Sequence, residues 1–186
     1  MTDDDETRPS DKDTPLPSED GRAAFPWTFE VADAERIWLG TQVRPWRSLA
    51  VVPCCDGLST YEVARLLTVL GTQHGESIDL ADVRDIPLQR VNAVLTLARS
   101  LVGRGDRVVF ATRSIEENIA AVSCARAADC VVLCVRLGAT SIGMVEETIR
   151  LIGRERCIGS ILLRRHGPAA AGAERAPRVP RLEVAS

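Results

Sequence analysis

The chain has 186 residues, 45% hydrophobic and 26% charged, with 26 acidic against 23 basic side chains and a net charge of −3. That is enough for one globular domain with a sizeable core and some tail, and it excludes the basic footprint of a general nucleic-acid binder. No apolar run approaches the roughly 18 residues that span a bilayer, and the acidic, polar start MTDDDETRPSDKD is the reverse of a signal peptide, so a cytoplasmic protein is expected.

Residues 1–24, polar and acidic with three prolines, predict a disordered tail. Residues 25–46 hold Trp27, Trp38 and Trp46 and predict a short helix and a lead-in packed against a sheet. Ser48–Val52 is a short apolar run that predicts a buried strand. From Ser59 to Leu70, Val63, Leu66, Leu67 and Leu70 recur at helical spacing, with Ser59 or Thr60 as N-cap. A weak signal marks a second strand at Ser77–Leu80. An amphipathic helix then runs from Leu88 to Val102, closed by Gly103 and Gly105.

Arg107–Ala111 predicts a third strand, and Ile115–Ala127 a helix with Ile119, Val122 and Ala125 as its apolar stripe. Cys130–Arg136 is nearly all apolar, as in strands covered on both faces. A helix over Ser141–Ile152 and a strand over Cys157–Leu163 complete the pattern. Residues 166–186 are rich in Ala, Pro and Arg and predict a second disordered tail. Strand and helix alternate through 25–165, so the fold class is α/β: a doubly wound, mainly parallel sheet of about five or more strands with helices on both faces. Ligands in such sheets bind at the carboxyl ends of the strands, here residues 53–60, 81–87, 111–116 and 136–141.

The loop after the first strand reads Pro53-Cys54-Cys55-Asp56-Gly57-Leu58-Ser59-Thr60 and opens directly into a helix. This is the layout of a phosphate-binding loop, in which glycines let backbone amides wrap phosphates, a lysine reaches the outer phosphates and Ser/Thr holds magnesium. With Gly57 and Ser59 set on the GxxxxGK[ST] pattern, Leu58 stands at the lysine and Val52 at the first glycine. The only lysine of the chain is Lys12, in the acidic tail, so no lysine of the folded domain can substitute. Asp56, Gly57, Leu58, Ser59 and Thr60 are therefore the candidate cofactor-binding residues, as a vestigial loop. The free amides of its helix can still attract an anion, or the Ser/Thr pair can merely cap the helix.

No CxxC pair exists among Cys54, Cys55, Cys124, Cys130, Cys134 and Cys157, so packed thiols are expected rather than metal ligands. His74 and His166 have no partner at triad-like or ligand-like positions and are expected to be exposed. Asp82, Arg84 and Asp85 read as an ion-pairing loop.

Three stretches carry a family resemblance. Ala81-Asp82-Val83-Arg84-Asp85-Ile86-Pro87, Gly105–Thr112 and above all Ala127–Ser141 (AADCVVLCVRLGATS) are similar to segments of the MinD/ParA-type P-loop ATPases. Within them the chain most resembles the cytoplasmic tyrosine-kinase-like (CpsD/Wzc-type) domains of bacterial polysaccharide assembly. The resemblance implies a P-loop-NTPase-like fold from Ser48 to Leu163 and fails where the chemistry lies. The metal-site acid that closes the third strand in the family is Ala111 here, the double proline after it is Arg113-Ser114, and the asparagine near the adenine falls around Arg164-Arg165. Asp79 and Asp82 could mimic the family's acidic pair, and Tyr61 is the lone tyrosine where the kinases carry a tyrosine-rich tail.

The resemblance thus implies a non-catalytic partner or regulator in exopolysaccharide or capsule assembly, with no catalytic residue and no resident cofactor or metal; weak ATP or ADP binding with magnesium stays open. The implied partner is a membrane-bound polysaccharide co-polymerase, chain-length or export protein, with homo-oligomers, without nucleic acid and without membrane insertion. The chain would then sit peripherally at the inner membrane through that partner. Its docking surface would be helix faces and the tryptophan segment, unless those rings complete the core. Two alternatives stand beside this: a divergent ATPase or kinase in which Arg84, Arg113 or Arg136 replaces the lysine, and a ParA/MinD-like positioning protein.

Overall fold

The computed structural model describes residues 31–164. The expected tails over 1–24 and 166–186, together with Trp27, Lys12, Arg165 and His166, lie outside the described residues. Among the described residues no helix is long and apolar enough to cross a membrane.

Five strands, β1 (Ser48–Pro53), β2 (Ile78–Asp82), β3 (Arg107–Ala111), β4 (Cys130–Arg136) and β5 (Cys157–Leu163), form one sheet in the order β2-β3-β1-β4-β5. Every pair is parallel, with β1 at the centre and Val51 opposite Ala111 on one side and Val132 on the other. A register shift at Val131/Val132 sets off the start of β5. Helices α1 (Val31–Thr41) and α2 (Tyr61–Gln73) cover one face; α3 (Val91–Gly103), α4 (Ala120–Ala127) and α5 (Ile142–Ile152) cover the other. The expected α/β fold, parallel with helices on both faces, is the observed one.

The two cores follow the period-2 alternation of the strands. Leu49, Val51, Val109, Cys130, Val132 and Cys134 point to α1 and α2, while Ala50, Val52, Val108, Phe110, Val131 and Leu133 point to α3, α4 and α5. Five of the six thiols are fully packed, as their lack of metal-ligand spacing implied, and Cys157 is half-buried. Trp38 and Trp46 meet edge to face with centroids 6.4 Å apart and are only 4% and 3% exposed. These two rings therefore complete the core and offer no docking surface. His74 stacks on Trp38 and lies 3.1 Å from Glu35, and it is exposed as expected.

Two sequence expectations need correction. The helix expected from Ile115 starts only at Ala120, and Ile119 is exposed rather than part of an apolar stripe. Ser114 Oγ accepts from Glu117 N and Asn118 Oδ1 from Ala120 N, so side chains hold 114–119 in turns that compete with helix. Likewise Leu88 sits in a short 3₁₀ turn and is exposed; the apolar stripe of α3 begins at Val91.

Candidate functional site

The loops at the carboxyl ends of β1, β2, β3 and β4 do converge, and hydrogen bonds tie them into one network. After β1 the chain turns at Gly57, whose φ of +64° only glycine adopts without strain. The next residues enter α2. Thr60 occupies the N-cap position but makes no cap bond. Its hydroxyl donates instead to the Thr112 carbonyl at 2.6 Å, and Thr112 Oγ1 donates to the Val51 carbonyl at 3.0 Å. The cap expected of Ser59 or Thr60 is thus replaced by a buried tie from the loop to the end of β3.

Two features that a phosphate loop needs are engaged by other groups of the same chain, and two more are replaced by buried apolar residues. The Gly57 amide, placed to meet a phosphate oxygen, donates to Glu117 Oε1 at 3.2 Å. Leu58, at the lysine position, is 3% exposed and packs into the core beneath α1 and α2, so the position does not even face a ligand. Ser59 Oγ, at the magnesium position, accepts from Arg84 Nη1 at 3.2 Å. A guanidinium at hydrogen-bond distance repels a divalent cation. At the end of β3, where a metal carboxylate would stand, Ala111 is fully buried.

The remaining charges pair around this core. Arg84 grips Asp82 through Nε at 2.8 Å and Nη2 at 2.7 Å and lies 4.8 Å above the ring of Tyr61. That hydrogen bond holds the Asp82 carboxyl below the usual carboxylate range and raises the Arg84 pKa. Arg113 Nε bonds Asp85 at 2.8 Å, which raises the Arg113 pKa. The ion-pairing loop read from Asp82, Arg84 and Asp85 is therefore present. Ser114 Oγ donates to Asp56 Oδ1, and Asn118 Nδ2 donates to the carbonyls of Arg84 and Ile86, each at 3.1 Å. Arg136 reaches only the Asp56 carbonyl, at 3.5 Å, and its Nε is buried with no partner among the described residues.

Asp79 and Asp82 do not form the acidic pair that the resemblance allowed. Three residues apart on a strand, they point to opposite faces: Leu80, of the same parity as Asp82, packs toward α2, and Ala81, of the same parity as Asp79, toward α3. Beside the loop, between Asp56, Ser114 and Thr148, the cavity measures about 20 Å³, room for about one water. The donors for nucleotide and magnesium therefore do not fit that ligand: one amide is engaged by a carboxylate, the hydroxyl by a cation, and there is no lysine among the described residues. Among the described residues no three His, Cys, Asp or Glu side chains come together in a metal-binding group.

The sequence pattern located the loop, but it placed Glu117 and Asn118 inside a helix and gave Ser114, just before it, no part in the site. The capping-box spacing Ser114-x-x-Glu117 points the other way, to a helix starting at Ile115, whereas the helix starts at Ala120.

Fold and site together define a parallel α/β domain whose loop after β1 is engaged by the chain's own side chains. Comparison with solved structures agrees on the fold. The chimerical protein CapA2B2 superposes with a TM-score of 0.57 at 12% identity, covering 78% of this chain and 88% of that one. The BceF tyrosine kinase domain superposes with a TM-score of 0.50 at 13% identity, covering 70% and 73%. No protein-family model and no curated protein matches the chain.

Proposed function

We propose that the protein is a non-catalytic relative of the tyrosine-kinase-like domains, acting as a cytoplasmic partner or regulator of a membrane-bound polysaccharide assembly protein. One observation carries the non-catalytic half: the Gly57 amide is already engaged by the Glu117 carboxylate, while Arg84 holds the hydroxyl of Ser59. Phosphoryl transfer depends on positioning and on neutralising phosphate charge. A loop that presents Asp56 and Glu117 to an incoming phosphate, with Leu58 turned into the core, does neither. The pathway half rests on the resemblance of Ala127–Ser141 and on a fold shared with the BceF tyrosine kinase domain.

Calorimetric titration of ATP and ADP with magnesium into the full chain tests the first half. No binding at millimolar nucleotide is expected. Micromolar binding that weakens in Gly57→Ala or Ser59→Ala would replace this reading with a nucleotide-gated one. Co-purification with a membrane-bound polysaccharide co-polymerase, chain-length or export protein tests the second half; association with DNA or a cell-pole factor instead would favour a positioning protein.

A divergent enzyme is the second reading, and the proximity of Arg84 to Ser59 favours it, since this guanidinium stands where a lysine could be replaced. Its bidentate grip on Asp82 opposes that role. Magnesium-dependent ATP turnover that is lost in Arg84→Ala but retained in Tyr61→Phe would establish it.

A further inference from the structure

The sheet ends at β5, and the edge of β5 is bare among the described residues. Leu163 turns its carbonyl to β4, where it accepts from Leu137 N at 2.9 Å. Alternation then places the N–H and C=O groups of Ser160 and Leu162 on the open side. Natural sheets protect such an edge with charges, proline or a covering segment. Residues 157–163 carry none of the first two, and Leu162 is 62% exposed. Between this strand and α1 lies an apolar groove of about 650 Å³, bordered by Ile37, Gly40, Val43, Ile158 and Leu162.

The position of α1 limits what can cover the edge. Arg44, just beyond the end of α1, bonds the Glu155 and Arg156 carbonyls at 2.8 and 3.2 Å, beside the amino end of β5. The helix is 11 residues long, about 16 Å, so its start lies toward the carboxyl end of β5. The chain that leads into α1 reads Ala23-Ala24-Phe25-Pro26-Trp27-Thr28-Phe29-Glu30, with aromatic rings at alternate positions. We propose that residues 23–27 form a sixth strand, parallel to β5 on its free edge, with 28–30 as the turn into α1 and Phe25 and Trp27 filling the groove.

Three independent features fit this occupant. The direction is right, because a segment ending beside the carboxyl end of β5 runs parallel to it, and three residues are an ordinary strand-to-helix turn. The handedness is right as well. The unit β1–α2–β2 already skips one strand and crosses the face covered by α1 and α2. The new unit would cross the same face in the same direction along the sheet, and so with the same right hand. Proline is tolerated too: with Phe25 and Trp27 bonded to β5, Pro26 turns outward, where a strand needs no donor.

Amide hydrogen exchange of the full chain, read residue by residue, tests the pairing. Phe25, Trp27, Ser160 and Leu162 should all exchange about 100-fold or more slower than in a free peptide, unchanged by protein concentration. Phe25→Asp combined with Trp27→Asp should release Ser160 and Leu162 while Val51 and Val109 stay protected. Free-peptide exchange at Phe25 and Trp27 in the unmodified chain overturns the proposal. So does protection of Ser160 and Leu162 that grows with concentration, which would place a second copy's β5 on the edge. Protection at 160 and 162 that survives the double substitution also overturns it and points to the segment after 164.

Discussion

Asp129 shows how one side chain can fix two strands at once. Its Oδ2 accepts from the backbone amides of Arg47 and Ser48 at 2.9 and 2.8 Å and from Ser48 Oγ at 3.0 Å, joining the start of β1 to that of β4. Burial opposes its ionisation, but the three donors outweigh it and leave the pKa below the usual carboxylate value. A lowered pKa contributes stability above the unfolded value, near 4, that is lost as pH falls through the folded one. Asp129→Asn should therefore destabilise by about 1–2 kcal/mol at pH 7, the low end reflecting its exposure. In urea titrations the difference from wild type should begin to shrink below about pH 4 and vanish only below the lowered folded pKa. Gly71 is a second residue whose role is visible only in the packing. A Cβ there would overlap Ile78 Cδ1 and stand 2.8 Å from Trp38 Cη2. Ile78 can swing aside but the indole cannot, so Gly71→Ala should lower the unfolding free energy by about 1–3 kcal/mol despite its better helix propensity.

At the scale of elements, the instructive case is the segment between β3 and α4. Its sequence, SIEEN, has helical composition, yet Ser114 and Asn118 spend their side chains on local backbone and on the loop after β2. Asn118 alone satisfies the carbonyls of Arg84 and Ile86 and the amide of Ala120, so Asn118→Ala leaves three groups without their partner. We expect a loss of about 2 kcal/mol, with exchange accelerating first at 84–87 and 117–120 and the centre of the sheet unaffected. The same segment carries Glu117 to Gly57, which is why the helix start matters to function. Were α4 to begin at Ile115 as the periodicity predicts, its backbone geometry would not be the turn that now presents this carboxylate to the loop. The 3₁₀ turn before α3 is a smaller instance, where Pro87 holds extended backbone at ψ 152° and delays the helix past Leu88.

For the whole molecule, the thiols report on integrity. Burial raises Cys54 and Cys124 to about 11, the former despite a hydrogen bond with Thr148, and pushes Cys134 higher still. At pH 8 a thiol reagent should label at most Cys157 in the native protein and all six cysteines in denaturant, and partial labelling at 54 or 55 would show that the loop opens locally. The α/β class, the strand and helix order and the position of the loop were legible in the sequence, because each depends on short-range information. Apolar runs, helical spacing and the Gly57-x-Ser59-Thr60 pattern all lie within a few residues. The absent lysine was legible for the same reason. What the sequence could not yield was the pairing of distant groups: Glu117 with Gly57, 60 residues apart, Arg84 with Ser59, 25 apart, and the tie from Thr60 to Thr112, 52 apart. It likewise could not set Asp79 and Asp82 on opposite faces without a certain strand register. The sequence by itself thus determined that this is a parallel α/β protein lacking a phosphate-loop lysine. Only the tertiary structure decided that its own carboxylate and guanidinium occupy the loop, because parallel crossovers bring together strand ends that are remote along the chain.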